Sequence, residues 1–247
     1  MIDIHCHVLP GIDDGPTTKV EALALARACV ADGITHVVAT PHVFPGRFDN
    51  HRAGIAQLCM KFRQVLVAEN IDLELSFAGE VRLSHEVIDM VQRGEIPFLG
   101  EVDGWRTMLL ELPDAQIPLG SINLVRHLAG IGIRPVLVHP ERNKAIMDKP
   151  ERVEAFVDEG CYLQITAASL VGQFGPRVSV AADFMLKKDW VNAVASDAHN
   201  LVGRPPRMTE ARHILEQRFG KGYAEELTYF GPARLCGRER EKLAVPS

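Results

Sequence analysis

At 247 residues, 47% of them hydrophobic and 24% charged, the chain has the composition of a globular protein long enough to bury a sizeable core. A net charge of −5 without a lysine or arginine cluster argues against nucleic acid as a ligand, and no apolar run reaches the roughly 20 residues that would insert in a bilayer. Five scattered cysteines (Cys6, Cys29, Cys59, Cys161, Cys236), odd in number and without a C-x-x-C pair, indicate neither a disulfide framework nor a zinc ribbon; together with an N-terminus unlike a signal peptide, this predicts a reduced, cytoplasmic protein.

The chain opens MIDIHCHVLPGIDDG. Its residues 2–7 predict a strand on which His5 and His7 share one face and Cys6 takes the other. A Gly/Pro turn carrying Asp13 and Asp14 leads into a helix, TTKVEALALARACVADG, that ends at Gly33. THVVAT is the second strand; Pro41 stops it, and T-P-H places His42 at its end. A helix over about 51–69 follows. LELSFAG then leads into G-E-V-R with Glu80, and a helix over about 84–93. The fourth strand, RTMLLEL, carries Glu111 and precedes a helix over about 122–129. RPVLVH ends in H-P-E-R with His139, and Arg142 stands three residues on. CYLQIT, the sixth, has no obvious metal-type ligand. WVNAVAS ends in S-D-A-H with Asp197 and His199, and Arg204 lies five residues past the histidine. Apolar-faced helices around 208–219 and 223–230 are expected to pack on the body of the fold.

Seven strands alternating with helices, several of them continuous apolar runs, predict a parallel sheet covered on both faces. The expected fold is an α/β single domain over 1–247, a closed or nearly closed β/α barrel in preference to a doubly wound open sheet. No G-x-G-x-x-G follows any strand to favour the latter. In a barrel, the C-terminal strand ends converge where active sites are built. Six of the seven ends here carry histidine or carboxylate. Any one of them alone reads as a hydrogen-bonded structural histidine or, for Glu111, as a buried arginine partner; the set reads as a metal site. A thiolate-free set favours Mn²⁺, Zn²⁺ or Fe. About nine ligands exceed the needs of one ion, so two or three ions bridged by a carboxylate are expected, with Glu80 and Glu111 as bridging candidates.

The segments D-I-H-C-H with D-D-G, T-P-H, G-E-V-R, H-P-E-R and S-D-A-H-N-L-V-G-R-P-P resemble the polymerase-and-histidinol-phosphatase (PHP) superfamily. More narrowly they are similar to its bacterial protein-tyrosine phosphatases of capsule and exopolysaccharide operons, from Met1 to the C-terminal helices, with G-R-P-P the most subfamily-specific piece. The resemblance implies a distorted (β/α)7 TIM-like barrel (PHP fold) and three divalent ions, manganese ahead of iron or zinc. It also implies hydrolysis of phosphotyrosine on the tail of a bacterial tyrosine kinase that controls polysaccharide export. By the same resemblance His5, His7, Glu80 and Asp197 surround one ion. Glu80 bridges to a second, shared with Glu111 and His139, and Asp14, His42 and His199 hold the third, with Asp14 taken over Asp13 by analogy. Arg142 and Arg204, whose planar forks match phosphate oxygens, are implied as phosphate clamps, with Arg82 a weaker candidate. The loop PHVFPGRFDN departs from the basic loop of some relatives.

A cysteine nucleophile of the C-x5-R type is excluded directly: the residues six places after the five cysteines are Ile12, Thr35, Val65, Ala167 and Lys242. A metal-activated hydroxide is therefore the expected nucleophile, without a phosphoenzyme. The rival readings are a phosphatase of histidinol phosphate or another small molecule, a nuclease or proofreading module, and a non-catalytic metal-bound scaffold that docks the kinase.

Overall fold

A computed structural model describes residues 1–238; residues 239–247 of the expected domain lie outside the described residues. Among the described residues ten strands form: β1 (Ile2–Cys6), β2 (His36–Ala39), β3 (His42–Val43), β4 (Glu74–Phe77), β5 (Glu80–Arg82), β6 (Gly100–Val102), β7 (Trp105–Glu111), β8 (Ile133–Val138), β9 (Tyr162–Thr166) and β10 (Val191–Ala195). Between and after them run α1 (Lys19–Ala31), α2 (Arg52–Ala68), α3 (Val87–Gln92), α4 (Ser121–Gly130), α5 (Lys144–Asp148), α6 (Glu154–Asp158), α7 (Ala167–Leu170), α8 (Pro176–Lys187), α9 (Met208–Phe219), α10 (Lys221–Glu225) and α11 (Gly231–Leu235). Among the described residues, no helix is long and apolar enough to cross a membrane.

Two of the seven expected strands are broken. The segment 36–43 divides into β2 and β3, and 74–82 into β4 and β5. The lower halves pair as β1-β2-β4 and the upper halves join β10-β9-β8-β7-β5-β3, all parallel. Pro41 brings no N–H to the ladder at the first break. At the second, Gly79 packs so closely that a Cβ would stand 2.5 Å from Pro97 and 2.8 Å from Val43. Taken as two kinked strands, these halves leave seven parallel strands in chain order around a ring. The ring closes between β1 and the end of β10, where the His7 amide donates to the Ala198 carbonyl (2.9 Å) and the Asp197 amide to the His5 carbonyl (2.8 Å). The closing seam thus carries three of the expected ligands.

β6 is an addition to the expected set. It pairs antiparallel with β7 through a turn in which Asp103 and Gly104 both have positive φ (51° and 81°), the conformation that Asp-Gly favours in two-residue hairpins.

Ile2, Ile4, Val38, Leu109, Val136, Val138, Ala193 and Ala195 form an inner apolar cluster, which Ala233 and Leu235 of the α11 helix join. The last two pack into it from the C-terminal segment, and the Thr107 hydroxyl donates to the Leu235 carbonyl at 2.7 Å. Alternate residues on a strand share a face, so the rows that end in Leu109 and Ala195 continue to Glu111 and Asp197. The apolar floor of the barrel and its polar mouth are built on the same rows. α9 matches its expected span. Its first amides, at Met208 and Thr209, donate to the Asp32 carboxylate (2.6 and 3.2 Å) and so tie it to the end of α1.

Candidate active site

The nine histidine and carboxylate residues singled out from the sequence all reach the C-terminal mouth of the barrel. Two pairs are set directly by sheet register: His42 stands opposite Glu80 on β3 and β5, and Arg82 opposite Glu111 on β5 and β7. His5 and His7 share a face, their Nε2 atoms 3.4 Å apart. Glu80 lies at the centre. Its Oε1 is 2.7 Å from His139 Nε2, and its Oε2 lies 2.9 Å from His42 Nδ1, 3.3 Å from His7 Nε2 and 3.4 Å from His5 Nε2. Asp197 Oδ1 faces the same two histidines at 3.4 and 3.5 Å. Asp14 Oδ1 is 3.3 Å from His42 Nε2 and 3.2 Å from His199 Nε2.

Four overlapping groups result, each with ligand atoms within 4.8 Å of one another: His7–Asp14–His42–His199, His5–His7–Glu80, His5–His139–Asp197 and His42–Glu80–Glu111. The grouping differs in part from the expected one. His139 sits with His5 and Asp197 while still touching Glu80, and Glu111 lies on the His42 side, its Oε2 3.9 Å from Nδ1.

A second layer aims these rings. His5 Nδ1 donates to Gln164 Oε1 (2.8 Å), His7 Nδ1 to Asp13 Oδ2 (2.6 Å), and His199 Nδ1 to the Asp197 carbonyl (3.0 Å). Each ring thereby turns its Nε2 towards the cluster. Asp13 is the aligner rather than a member of the four groups, since its oxygens also accept from the amides of Gly15 (3.0 Å) and His42 (3.1 Å). Gln164, from the strand that lacked a ligand, escaped the sequence analysis. The available signal was a lone amide within the apolar strand CYLQIT. His139 and Asp197 both hold positive φ, 34° and 51°, an uncommon backbone for these residues and one that clusters at functional sites.

Metal ions fit these residues. Glu80 Oε2, Glu111 Oε2 and Asp197 Oδ1 are buried without a hydrogen bond, which is costly for anionic oxygens in low dielectric unless a cation faces them. Two ligands each about 2.0–2.2 Å from one ion stand about 3.0–3.5 Å apart, and most of the nitrogen–oxygen separations above fall in that range.

In the metal-free protein, protons take the place of cations. Burial alone would lower the His42 pKa, but the Glu80 and Asp14 carboxylates carry it up to about 10. Burial likewise opposes the charge on His5 and His7, and is outweighed by Glu80 and Asp197 at the first and by Asp13 at the second, so both are raised. Asp197 is held well below the usual carboxylate range: burial favours its neutral form, and Arg204, His5 and Arg142 overcome it. Glu111 goes the other way, pushed up to about 7 by burial and the Glu80 charge against the pull of Arg82.

A raised folded-state pKa means that the native protein binds more protons than the unfolded chain, so stability falls as pH rises. For His42 that contribution is full below about 6.5 and is lost as pH passes about 10. Glu111 adds to the fall between about 4.5 and 7. The melting temperature of chelated protein should therefore decrease from pH 6.5 to pH 9. The increment produced by a fixed excess of Mn²⁺ should grow over the same interval, because ligation needs the neutral imidazole. A metal increment that shrinks with pH would contradict this.

Arg142 and Arg204 converge on Asp197 Oδ2. Arg204 also donates to His199 Nε2 (2.9 Å), and the Arg142 guanidinium lies over the Phe174 ring (4.8 Å). Arg82 is engaged by Glu111 (2.9 Å) and Asp114 (3.6 Å). Above the cluster opens a cavity of about 220 Å³, lined by Arg82, Arg142 and Arg204 and by Phe44, Arg47 and Phe48. Carboxylates and imidazoles at the base with guanidinium groups on the wall suit an anion held against cations.

The family model described as capsular polysaccharide synthesis, CpsB/CapC, matches residues 1–236. The tyrosine-protein phosphatase YwqE of Bacillus subtilis (strain 168) is 33% identical over 228 residues, 92% of this chain and 89% of that protein. The tyrosine-protein phosphatase CpsB of Streptococcus pneumoniae is 32% identical over 244 residues, 95% of this chain and 98% of that protein. A solved structure from the work on YwqE of Bacillus subtilis and CpsB of Streptococcus pneumoniae, described there as unique metal-dependent tyrosine phosphatases, superposes with a TM-score of 0.88. It is 32% identical and covers 95% of this chain and 94% of that one. A phosphotriesterase homology protein from Escherichia coli superposes at 0.61 with 11% identity, over 94% and 97% of the two chains, and shares the fold alone.

Proposed function

The chain belongs to the capsular polysaccharide synthesis family CpsB/CapC, and from that premise we propose that it is a metal-dependent phosphotyrosine-protein phosphatase acting on a bacterial tyrosine kinase that controls capsule or exopolysaccharide synthesis. The observation that carries this reading is the set of buried carboxylate oxygens of Glu80, Glu111 and Asp197 that accept no hydrogen bond, in a cavity also lined by Arg142 and Arg204. The relatives at 33% and 32% identity, named as tyrosine-protein phosphatases, support it.

Three divalent ions, manganese ahead of iron or zinc, suit the ligand number and type. Asp14, His42 and His199, with His7, would hold one; His5, His139 and Asp197 a second; and His42, Glu80 and Glu111 a third, with Glu80 also reaching His5 and His7. Such ions supply a water acidified towards neutrality and neutralise phosphoryl oxygens. The chain supplies the rest. Arg142 and Arg204 bind the phosphoryl oxygens through their forks, and their common anchor on Asp197 holds both guanidinium groups in place before substrate arrives. Gln164 and Asp13 fix the tautomers of His5 and His7, so that their lone pairs stay directed at the ions. A kinase tail places the substrate, and hence this protein, in the cytoplasm.

The test is phosphate release from a tyrosine-phosphorylated peptide by chelated protein, alone and after Mn²⁺ is restored, with histidinol phosphate in parallel. Turnover of the peptide only with metal is the expected result. Turnover confined to histidinol phosphate would make this a small-molecule phosphatase, and no turnover of either with any divalent metal would leave the scaffold.

A further inference from the structure

The segment after His42, PHVFPGRFDN, is a tight hairpin rather than an open loop. Phe44 and Phe48 exchange backbone hydrogen bonds (Phe44 amide to Phe48 carbonyl 3.0 Å, and the reverse 2.8 Å). The Asn50 amide group donates to the carbonyls of Ile12 (3.0 Å) and His42 (2.8 Å), which ties the hairpin to the loop bearing Asp13 and Asp14. Both phenylalanine rings line the cavity above the metal ligands. Phe48 stacks on His42 with centroids 5.3 Å apart and planes 8° from parallel. Phe44 lies under the Arg82 guanidinium at 5.1 Å.

Arg47 at the hairpin tip is exposed. Its guanidinium stands over the Phe48 ring at 5.1 Å and the Phe44 ring at 6.0 Å. Arg82, Arg142 and Arg204, the other arginines of the cavity, each face a carboxylate of this chain, whereas Arg47 has no carboxylate partner among the described residues. At about 220 Å³ the cavity is smaller than the roughly 300–1,000 Å³ of drug-sized sites. It takes one phosphorylated side chain and leaves the flanking peptide on the rim.

We propose that this hairpin sets substrate preference: Phe44 and Phe48 receive the aromatic ring of the phosphate ester, and Arg47 receives an acidic side chain next to it in the peptide. The proposal rests on the phosphatase reading above and names the residues that select its substrate. Edge or offset contacts with two phenylalanines favour an aryl ester over an alkyl one. A guanidinium at the rim that meets no carboxylate among the described residues favours acidic context, with the salt sensitivity of an exposed pair.

Metal-loaded Phe44→Ala and Phe44→Leu proteins should lose about tenfold in kcat/KM on a phosphotyrosine peptide. Competitive inhibition by inorganic phosphate, which has no ring, should stay within about twofold of wild type. Arg47→Gln should lose about threefold on a peptide with glutamates beside the phosphotyrosine, only at low salt, and nothing measurable on the same peptide with alanines there. Equal losses in peptide turnover and phosphate affinity would mean that the hairpin acts through the metal ligands and would overturn the proposal. Unchanged kinetics in all three variants would overturn it too. A wild-type protein that turns over no phosphotyrosine peptide with metal removes the phosphatase reading itself, an outcome visible before any variant is made.

Discussion

Glu80→Gln is expected to lose on the order of 10³-fold or more in turnover of a phosphotyrosine peptide. Glutamine keeps the shape of the side chain but removes the charge at the centre of the cluster. It also places an N–H₂ donor where Oε1 meets His139 at 2.7 Å or where Oε2 faces three histidines within 3.4 Å. An amide is a far weaker metal ligand than a carboxylate, so metal content should fall together with activity. The same change removes the counter-charge of His5 and His42, whose raised pKa values depend in part on Glu80. Chelated E80Q protein should therefore melt below chelated wild type at pH 6.5. Metal analysis of the purified variant beside its kinetics is the check. A variant that kept full metal and near wild-type kcat would show that Glu80 is not at the centre of the chemistry.

Arg204→Lys and Arg142→Lys are each expected to lose about 10²–10³-fold in kcat/KM with metal content unchanged. Lysine preserves the charge but not the planar fork that holds two phosphoryl oxygens at once. Both guanidinium groups anchor on Asp197 Oδ2, and removal of one frees that oxygen to draw the other out of position. The double variant should accordingly lose less than the product of the two single losses. Wild-type kinetics in either single variant would remove that arginine from the phosphate site.

What could be read from the sequence follows from two periods. The two-residue repeat of a strand puts His5 beside His7, and the alternation of strand and helix puts every strand end at one mouth. That was enough to find eight of the nine ligand candidates and a parallel sheet covered on both faces; the choice of Asp14 over Asp13 came from the family resemblance, and periodicity alone does not separate a barrel from an open sheet. The β6 strand, joined to β7 through the Asp103–Gly104 turn, was not read from the sequence.

The rest was decided by tertiary structure. THVVAT and the T-P-H that ends it look like one strand because most of their residues favour β structure. The run is broken at Pro41 because β2 pairs with β1 and β4 whereas β3, His42–Val43, pairs with β5, partners that no local pattern names. Gln164 carries no ligand signature; only the closed ring sets it 2.8 Å from His5 Nδ1 across 159 residues. Asp13 and Asp14 are equivalent in sequence. They separate when the turn folds back, leaving the Asp13 side chain buried against His7 and the Asp14 side chain 42% exposed beside His42 and His199. The sequence alone therefore determined which side chains arrive at the mouth, since that depends on position along each strand. Which of them share an ion and which align a neighbour depends on contacts across the ring, and only the folded chain brings those about.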